Sequence, residues 1–365
     1  MPDDDPPAKP SPTEGGIHIS GQAQSGGDLV GRDKIQQIYQ RALSAAEEAE
    51  QARAFETQKL AQGVSAFARR LQAIAGDVAD RASGNPYKGL LDYRLADAEI
   101  FFGREHDIAE VLQNLERGPL TILQAESGAG KTSLLQAGLS PRLIAAGHLP
   151  LYLRPYRADP ALVIKRAFLS DPGQTPTLVT APLRDFLRKV TDVLGAGTTL
   201  FIFLDQFEEF FTQLDEPERA EFVRELAECL DDEGLASRVR WVLALRTEHF
   251  GSLAAFRPRI RNPFENDCRL SRLTRTQAEE GVVRPAARRG LQFEVGLVET
   301  VLDDLGVNEI APPQMQLVCS ALYEELEPGE TTINRTLYER EGRAVGILRG
   351  HLERVLSRDL AREQR

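Results

Sequence analysis

Apolar residues along this chain follow three different patterns. From Tyr39 to Ile74 they recur at three- and four-residue steps (Tyr39, Leu43, Ala46, Phe55, Leu60, Val64, Phe67, Leu71, Ile74), among Ala, Glu, Gln, Arg and Leu. That spacing in good helix formers predicts one or two amphipathic helices over 38–82. Both a face packed on the chain itself and a helical partner surface fit such a stripe. Ser83-Gly84-Asn85-Pro86 ends it. Short apolar runs then alternate with helical periodicity. Strands are predicted over 120–124, 150–154, 199–205, 239–246 and 268–270, with helices over 105–115, 131–146, 161–169, 182–194 and 216–230. Strands separated by crossover helices predict an α/β domain whose mostly parallel sheet is covered on both faces. The run Leu200-Phe201-Ile202-Phe203-Leu204 suits a strand buried from both sides. Beyond Thr274 the strand signals fade. Helices fit 276–288, 295–305, 314–325 and 343–360, with proline breaks at Pro285 and Pro312-Pro313.

Upstream of all this, residues 1–16 are rich in Pro, Asp, Ser and Gly, a composition that buries too little apolar surface to fold. Residues 17–37 mix β-prone pieces with Gly and Asp turns. The expected organisation is a tail (1–16), a Gly/Asp-rich β-prone segment (17–37), a helical segment (38–83), the sheet domain (84–273), a helical subdomain acting as a lid (274–330) and a further region (331–365). The 365 residues accommodate such an arrangement, at about 100–200 residues per domain.

Charge narrows the partners. A formal net charge of -11 disfavours nucleic-acid binding over the whole surface, because phosphate binding needs Lys and Arg to displace counterions. Cys229, Cys268 and Cys319 lie far apart and form neither a metal spacing nor a disulfide framework, so buried thiols in a reducing cytosol are expected. The start, Met1-Pro2-Asp3-Asp4-Asp5-Pro6, lacks the basic and apolar parts of a signal peptide. No apolar run approaches the ~20 residues needed to cross a bilayer. A cytoplasmic protein with no membrane partner is expected.

The chemistry concentrates in Ala125-Glu126-Ser127-Gly128-Ala129-Gly130-Lys131-Thr132, which follows an apolar strand and opens an apolar helix. That is the context of a phosphate-binding Walker A loop. Gly128 and Gly130 let backbone N–H groups turn around phosphate oxygens without a Cβ clash, and the helix N-terminus adds partial positive charge. Lys131 is expected at the β- and γ-phosphates and the Thr132 hydroxyl on Mg²⁺. Ala125 replaces the usual first glycine but stays small. Leu204-Asp205-Gln206-Phe207-Glu208-Glu209 follows the buried strand. Asp205 is placed to deliver a carboxylate to the metal shell. Glu208 and Glu209 are both candidates to orient the attacking water. Phe210-Phe211, which look like anchors of the next helix, tilt the choice to Glu208. Arg246 ends the strand over 239–246, which is expected to neighbour the Asp205 strand, and is a candidate γ-phosphate sensor.

Together with Asn85-Pro86-Tyr87-Lys88-Gly89-Leu90, Phe101-Phe102-Gly103-Arg104-Glu105, Val283-Arg284-Pro285-Ala286 and Gly290-Leu291-Gln292-Phe293-Glu294, these motifs resemble the novel STAND NTPases of bacteria, signalling ATPases related to NACHT proteins. The resemblance covers about residues 85–360. It implies ATP or ADP with Mg²⁺ as cofactors, with the Phe102-Gly103-Arg104 stretch near adenine and ribose, Lys131 and Thr132 as Walker A, Asp205 as Walker B and Arg246 as the sensor arginine. Pro313, in Ala311-Pro312-Pro313 where many members carry Leu-Pro-Leu, becomes a candidate base contact. Gln206 stands where related proteins often carry a second acid. Tyr338-Glu339-Arg340 with Val345-Gly346-Ile347-Leu348 looks like the approach to a winged-helix region. Family members switch from a closed ADP state to an ATP state that homo-oligomerises, with effector and sensor domains, often in bacterial immunity. The segment Gly27–Ile35 is similar to pieces that precede such cores and implies an effector-linked or self-association element.

Three other readings compete. A non-hydrolysing scaffold would hold ADP as a structural cofactor. A small-molecule kinase needs an acceptor pocket and a short lid that the sequence lacks. A DNA-loading ATPase sits poorly with the acidic balance.

Overall fold

The computed structural model describes residues 32–76, 84–154 and 156–363. The expected tail 1–16, residues 17–31 of the β-prone segment and the helix end at 77–83 lie outside the described residues. The chain divides into two units, Met1–Gln58 and Lys59–Arg365.

What is described of the first unit is the leading part of a helix, Arg32–Gly76, that continues into the second. It starts six residues before the expected Ile38. Residues 32–37 are therefore helical where a β-prone segment was expected: Asp33-Lys34-Ile35-Gln36-Gln37 follows the Gly-rich stretch with no further breaker. In the first unit Ile38, Tyr39, Leu43 and Phe55 are exposed. In the second, Leu60 and Val64 are buried, and Phe67 meets Phe168 edge-on with ring centroids 5.4 Å apart.

The second unit is built on five parallel strands: β1 (Leu120–Ala125), β2 (Leu149–Leu153), β3 (Leu200–Leu204), β4 (Val239–Arg246) and β5 (Asp267–Leu270). Their order is β2-β3-β4-β1-β5, so β4 lies between the strand that leads into the phosphate loop and the strand that leads into Asp205. Leu204 pairs with Leu243, and Ala125 with Arg246. Alternate side chains point to opposite faces. Ile122, Ile202, Leu204, Trp241 and Leu243 join Phe168, Phe186 and Phe222 on one side. Leu123, Phe203, Val242 and Ala244 join Ile108, Val111, Leu134 and Leu139 on the other. All five residues of β3 are buried, as a strand covered on both faces requires.

The chain after β5 forms the helices Arg275–Arg288, Leu297–Leu305, Pro312–Glu324, Arg335–Arg340 and Arg343–Glu363. Pro285 does not break the first of these but lies within it. Pro312 and Pro313 occupy the first turn of theirs, where a missing N–H costs no helical bond. Two short pairs join the helices: β6 (Leu273–Thr274) runs antiparallel to β8 (Glu309–Ile310), and β7 (Gln292–Phe293) parallel to β9 (Thr332–Ile333). Two residues are too few for an alternation to register in sequence.

Candidate functional site

The C-terminal ends of β1, β3 and β4 meet one cleft of about 280 Å³. β1 ends at Ala125, and the chain turns through Gly128 (φ +76°) and Gly130 (φ +98°) before Lys131 opens the next helix. Both glycines are left-handed, a conformation that costs other residues roughly 1–2 kcal/mol. That helix is π-wound over Leu134–Leu139, a local widening where only a plain helix over 131–146 was expected.

Lys131 is buried and its ammonium donates to the Ala125 carbonyl at 3.1 Å and the Glu126 carbonyl at 3.4 Å. Burial pulls its pKa below the usual lysine range, opposed by Glu208 and Asp205. Asp205 is fully buried at the end of β3. Its Oδ2 accepts from Thr132 Oγ1 at 2.6 Å, from the Tyr152 phenol at 2.7 Å and from Arg154 Nη2 at 3.2 Å. Arg154 also donates to both hydroxyls, Nη2 to Thr132 Oγ1 at 3.2 Å and Nε to Tyr152 at 2.9 Å. Burial first, then the Asp205 carboxylate, push the Tyr152 phenol above its ordinary range. The other carboxylate oxygen, Asp205 Oδ1, is buried with no hydrogen-bond partner. An orphaned carboxylate oxygen beside a threonine hydroxyl is a hard-oxygen donor set that fits Mg²⁺, whose remaining ligands are typically waters and phosphate oxygens.

Of the two candidate glutamates, Glu208 lines the cleft and Glu209 is not among its lining residues. Glu208 accepts from the Arg246 backbone N–H at 3.2 Å, and its Oε1 pairs with Arg246 Nε at 3.1 Å. Arg246 lines the cleft too. Ser127, Ala129 and Thr132 also reach it, whereas Ala125 ends the strand beneath and Glu126 pairs outward with Arg272 at 3.1 Å. Gln206 holds a positive φ of 53°, a conformation uncommon outside glycine.

The opposite wall comes from the leading segment and the helical region. Phe102 and Arg104 line the cleft, but the buried Arg104 guanidinium is engaged structurally: Nη2 donates to the Ala129 carbonyl at 2.7 Å and the Ser271 carbonyl at 2.9 Å, and Nη1 pairs with Asp107 at 3.1 Å. Gly103 (φ +84°) lies flat on the helix Arg275–Arg288, where a Cβ would stand 2.1 Å from the Gln277 carbonyl oxygen. The Arg284 guanidinium covers the Phe102 ring, 4.1 Å from its centroid. Pro313 reaches the phosphate loop itself, its Cγ 3.2 Å from where a Cβ on Gly128 would be. Sequence reasoning missed Tyr152 and Arg154, which stand at the tip of β2. It also missed Tyr93 and Gln316, which line the cleft and join the leading segment to the helical region through a buried hydrogen bond of 2.6 Å from the Tyr93 phenol to Gln316 Oε1.

The family model described as Novel STAND NTPase 1 matches residues 86–365. No curated protein matches the chain. A Walker-type ATPase of Pyrococcus abyssi is similar over 73% of this chain and 78% of its own, at 17% identity and a TM-score of 0.48. The ORC2 protein of Aeropyrum pernix, in its ADPNP-ADP complexes, is similar over 65% of this chain and 66% of its own, at 15% identity and a TM-score of 0.49. Cdc6p from Pyrobaculum aerophilum is similar over 63% and 64%, at 16% identity and a TM-score of 0.42. Among the described residues no helix is long and apolar enough to cross a membrane.

Proposed function

We propose, for a chain that belongs to the novel STAND NTPase 1 family, that it is an ATP-binding and slowly ATP-hydrolysing molecular switch in signalling or defence, which homo-oligomerises on activation and acts with effector or sensor domains. The observation that carries this reading is that the helical region touches the phosphate loop directly, through Pro313 over Gly128. A change in the phosphates at that loop therefore reaches the helices without an intermediary. A nucleotide biases such an equilibrium only by its differential affinity for the two arrangements, and Arg246 beside Glu208 is the group that distinguishes a triphosphate from a diphosphate.

In this reading Lys131 and the amides of Gly128–Lys131 hold the phosphates. Thr132 Oγ1 and Asp205 Oδ1 would hold Mg²⁺, which supplies charge neutralisation on the phosphate oxygens when bound. Glu208 orients water, with Arg246 fixing its carboxylate. Pro313, Phe102 and Arg104, which line the cleft, border the base and ribose, with Gly103 packing that stretch onto the helix Arg275–Arg288. Gln206 in place of a second acid supports the other reading, an ADP- or ATP-bound scaffold that does not turn over.

The test is to identify the nucleotide that copurifies with the full chain and to measure ATP turnover for wild type and Lys131→Ala. Copurified ADP with Lys131-dependent turnover is the result expected of a closed resting switch. Bound nucleotide without turnover favours the scaffold. Undiminished nucleotide binding by Lys131→Ala removes the site.

A further inference from the structure

Arg154 occupies an unusual place for a surface arginine. It stands at the end of β2, about a third exposed, and its Nη2 lies 3.2 Å from both Thr132 Oγ1 and Asp205 Oδ2. Those are the two side chains that the metal reading assigns to Mg²⁺. The same Nη2 lies 3.8 Å from Asp92 Oδ2, on the leading segment that forms the opposite wall. Asp92 is half exposed, and burial raises its carboxyl above the usual range while Arg154 pulls it down.

A guanidinium and a divalent ion held on one carboxylate and one threonine hydroxyl repel each other at contact distance. Asp205 is fully buried, and the guanidinium on its Oδ2 neutralises it. A divalent ion on the same carboxylate and hydroxyl repels that guanidinium. Among the described residues Asp92 is the other carboxylate paired with Arg154, and a side chain about a third exposed can turn there without breaking core packing.

We infer that Arg154 is a metal-exchanged latch: it holds the Thr132–Asp205 pair when Mg²⁺ is absent and moves to Asp92 when Mg²⁺ enters with nucleotide. The inference rests on the magnesium–nucleotide reading of the site. It makes Arg154 a positioning residue that sets the Mg²⁺ concentration at which nucleotide is held tightly and ties metal loading to the wall carrying Asp92 and Tyr93.

The experiment titrates Mg²⁺ into the full chain with a fluorescent ADP analogue and reads the Mg²⁺ concentration giving half the gain in affinity. Arg154→Ala is expected to lower that half-point about 3–10-fold, because a charge-assisted competitor is gone. Arg154→Lys, which keeps a cation but loses the fork, falls between. Asp92→Asn removes the alternative partner and raises the half-point. The double variant Arg154→Ala/Asp92→Asn matches Arg154→Ala, since Asp92 acts only through Arg154. An unchanged or raised half-point in Arg154→Ala, or a lowered one in Asp92→Asn, overturns the latch while leaving the nucleotide site intact. Wild-type affinity independent of Mg²⁺ overturns the metal reading and the latch together.

Discussion

The Tyr93 phenol donates to Gln316 Oε1 at 2.6 Å, while the Tyr93 backbone N–H donates to Ser133 Oγ at 3.1 Å. One buried residue thus joins the helix Pro312–Glu324 to the start of the phosphate-loop helix. Gln316 Oε1 accepts a second bond, from the Lys88 backbone N–H at 3.1 Å. Gln316→Leu strips an acceptor from two donors at once, each worth about 1–3 kcal/mol when left unsatisfied. We expect a fall in melting temperature of several degrees, at roughly 2–4 °C per kcal/mol, and faster release of bound nucleotide because the helical wall is freed from the loop. Tyr93→Phe, which leaves Gln316 its bond to Lys88, should fall less. Scanning calorimetry and stopped-flow displacement of a fluorescent nucleotide measure the two effects.

Pro313 and Gly128 make the second contact between helical region and loop. A Cβ on Gly128 meets the proline ring at 3.2 Å, and the residue's φ of +76° is left-handed. Gly128→Ala should therefore lose about tenfold or more in nucleotide affinity, the equivalent of about 1.4 kcal/mol. The double variant Gly128→Ala/Pro313→Ala separates the causes: removing the ring relieves the clash but not the backbone strain, so affinity returns only in part. Full recovery in a calorimetric titration would mean that the dihedral carries no cost.

These two contacts also show what could be read in the chain beforehand. The phosphate loop was legible because its glycines must take positive φ and its lysine must follow them. β3 was legible because burial on both faces leaves a run of five apolar residues. Strand order was legible only in part: β4 was expected beside β3, as it is, but nothing in the sequence sets β1 on its other side or β2 beside β3. Arg154 and Tyr152 therefore read as an ordinary strand end, although the pairing of Leu153 with Leu204 brings them to Asp205. Tyr93 and Gln316 stand 223 positions apart, and only tertiary packing joins them. Which of Glu208 and Glu209 lines the cleft depends on the way a short helix, Glu208–Gln213, faces, and six residues carry too little periodicity to say.

Lys131 gives a pH dependence with a definite sign. Burial lowers the pKa of its amine in the free chain. Phosphates beside the ammonium favour the charged form, so the bound pKa is the higher of the two. Affinity is then complete below the free-chain pKa and falls as pH rises through it, by up to tenfold per pH unit, until the bound pKa is reached. The decline should begin below the ordinary lysine range of about 10.4. Lys131→Arg, which does not titrate there, should bind with a flat profile at reduced affinity. Binding by wild type that is level over the same range would contradict a phosphate contact by Lys131.

Glu208 and Glu209 are separated most cleanly by turnover. Glu208 faces the cleft, with both carboxylate oxygens held by Arg246, one by the backbone N–H and one by the guanidinium. That grip fixes the carboxylate's direction while leaving lone pairs to accept a proton from water. Glu208→Gln keeps an acceptor for the Arg246 N–H, so fold and nucleotide affinity should change little, while the acceptor for a water proton is lost. Single-turnover hydrolysis should slow by about 10²–10⁴-fold, the usual contribution of a positioned base. Glu209→Gln, outside the lining of the cleft, should hydrolyse at close to the wild-type rate. If the glutamines reversed these effects, the water would have to reach the phosphates from the far side of the Glu208–Gln213 helix. If neither slowed the reaction, catalysis would rest on Lys131, Arg246 and the metal alone.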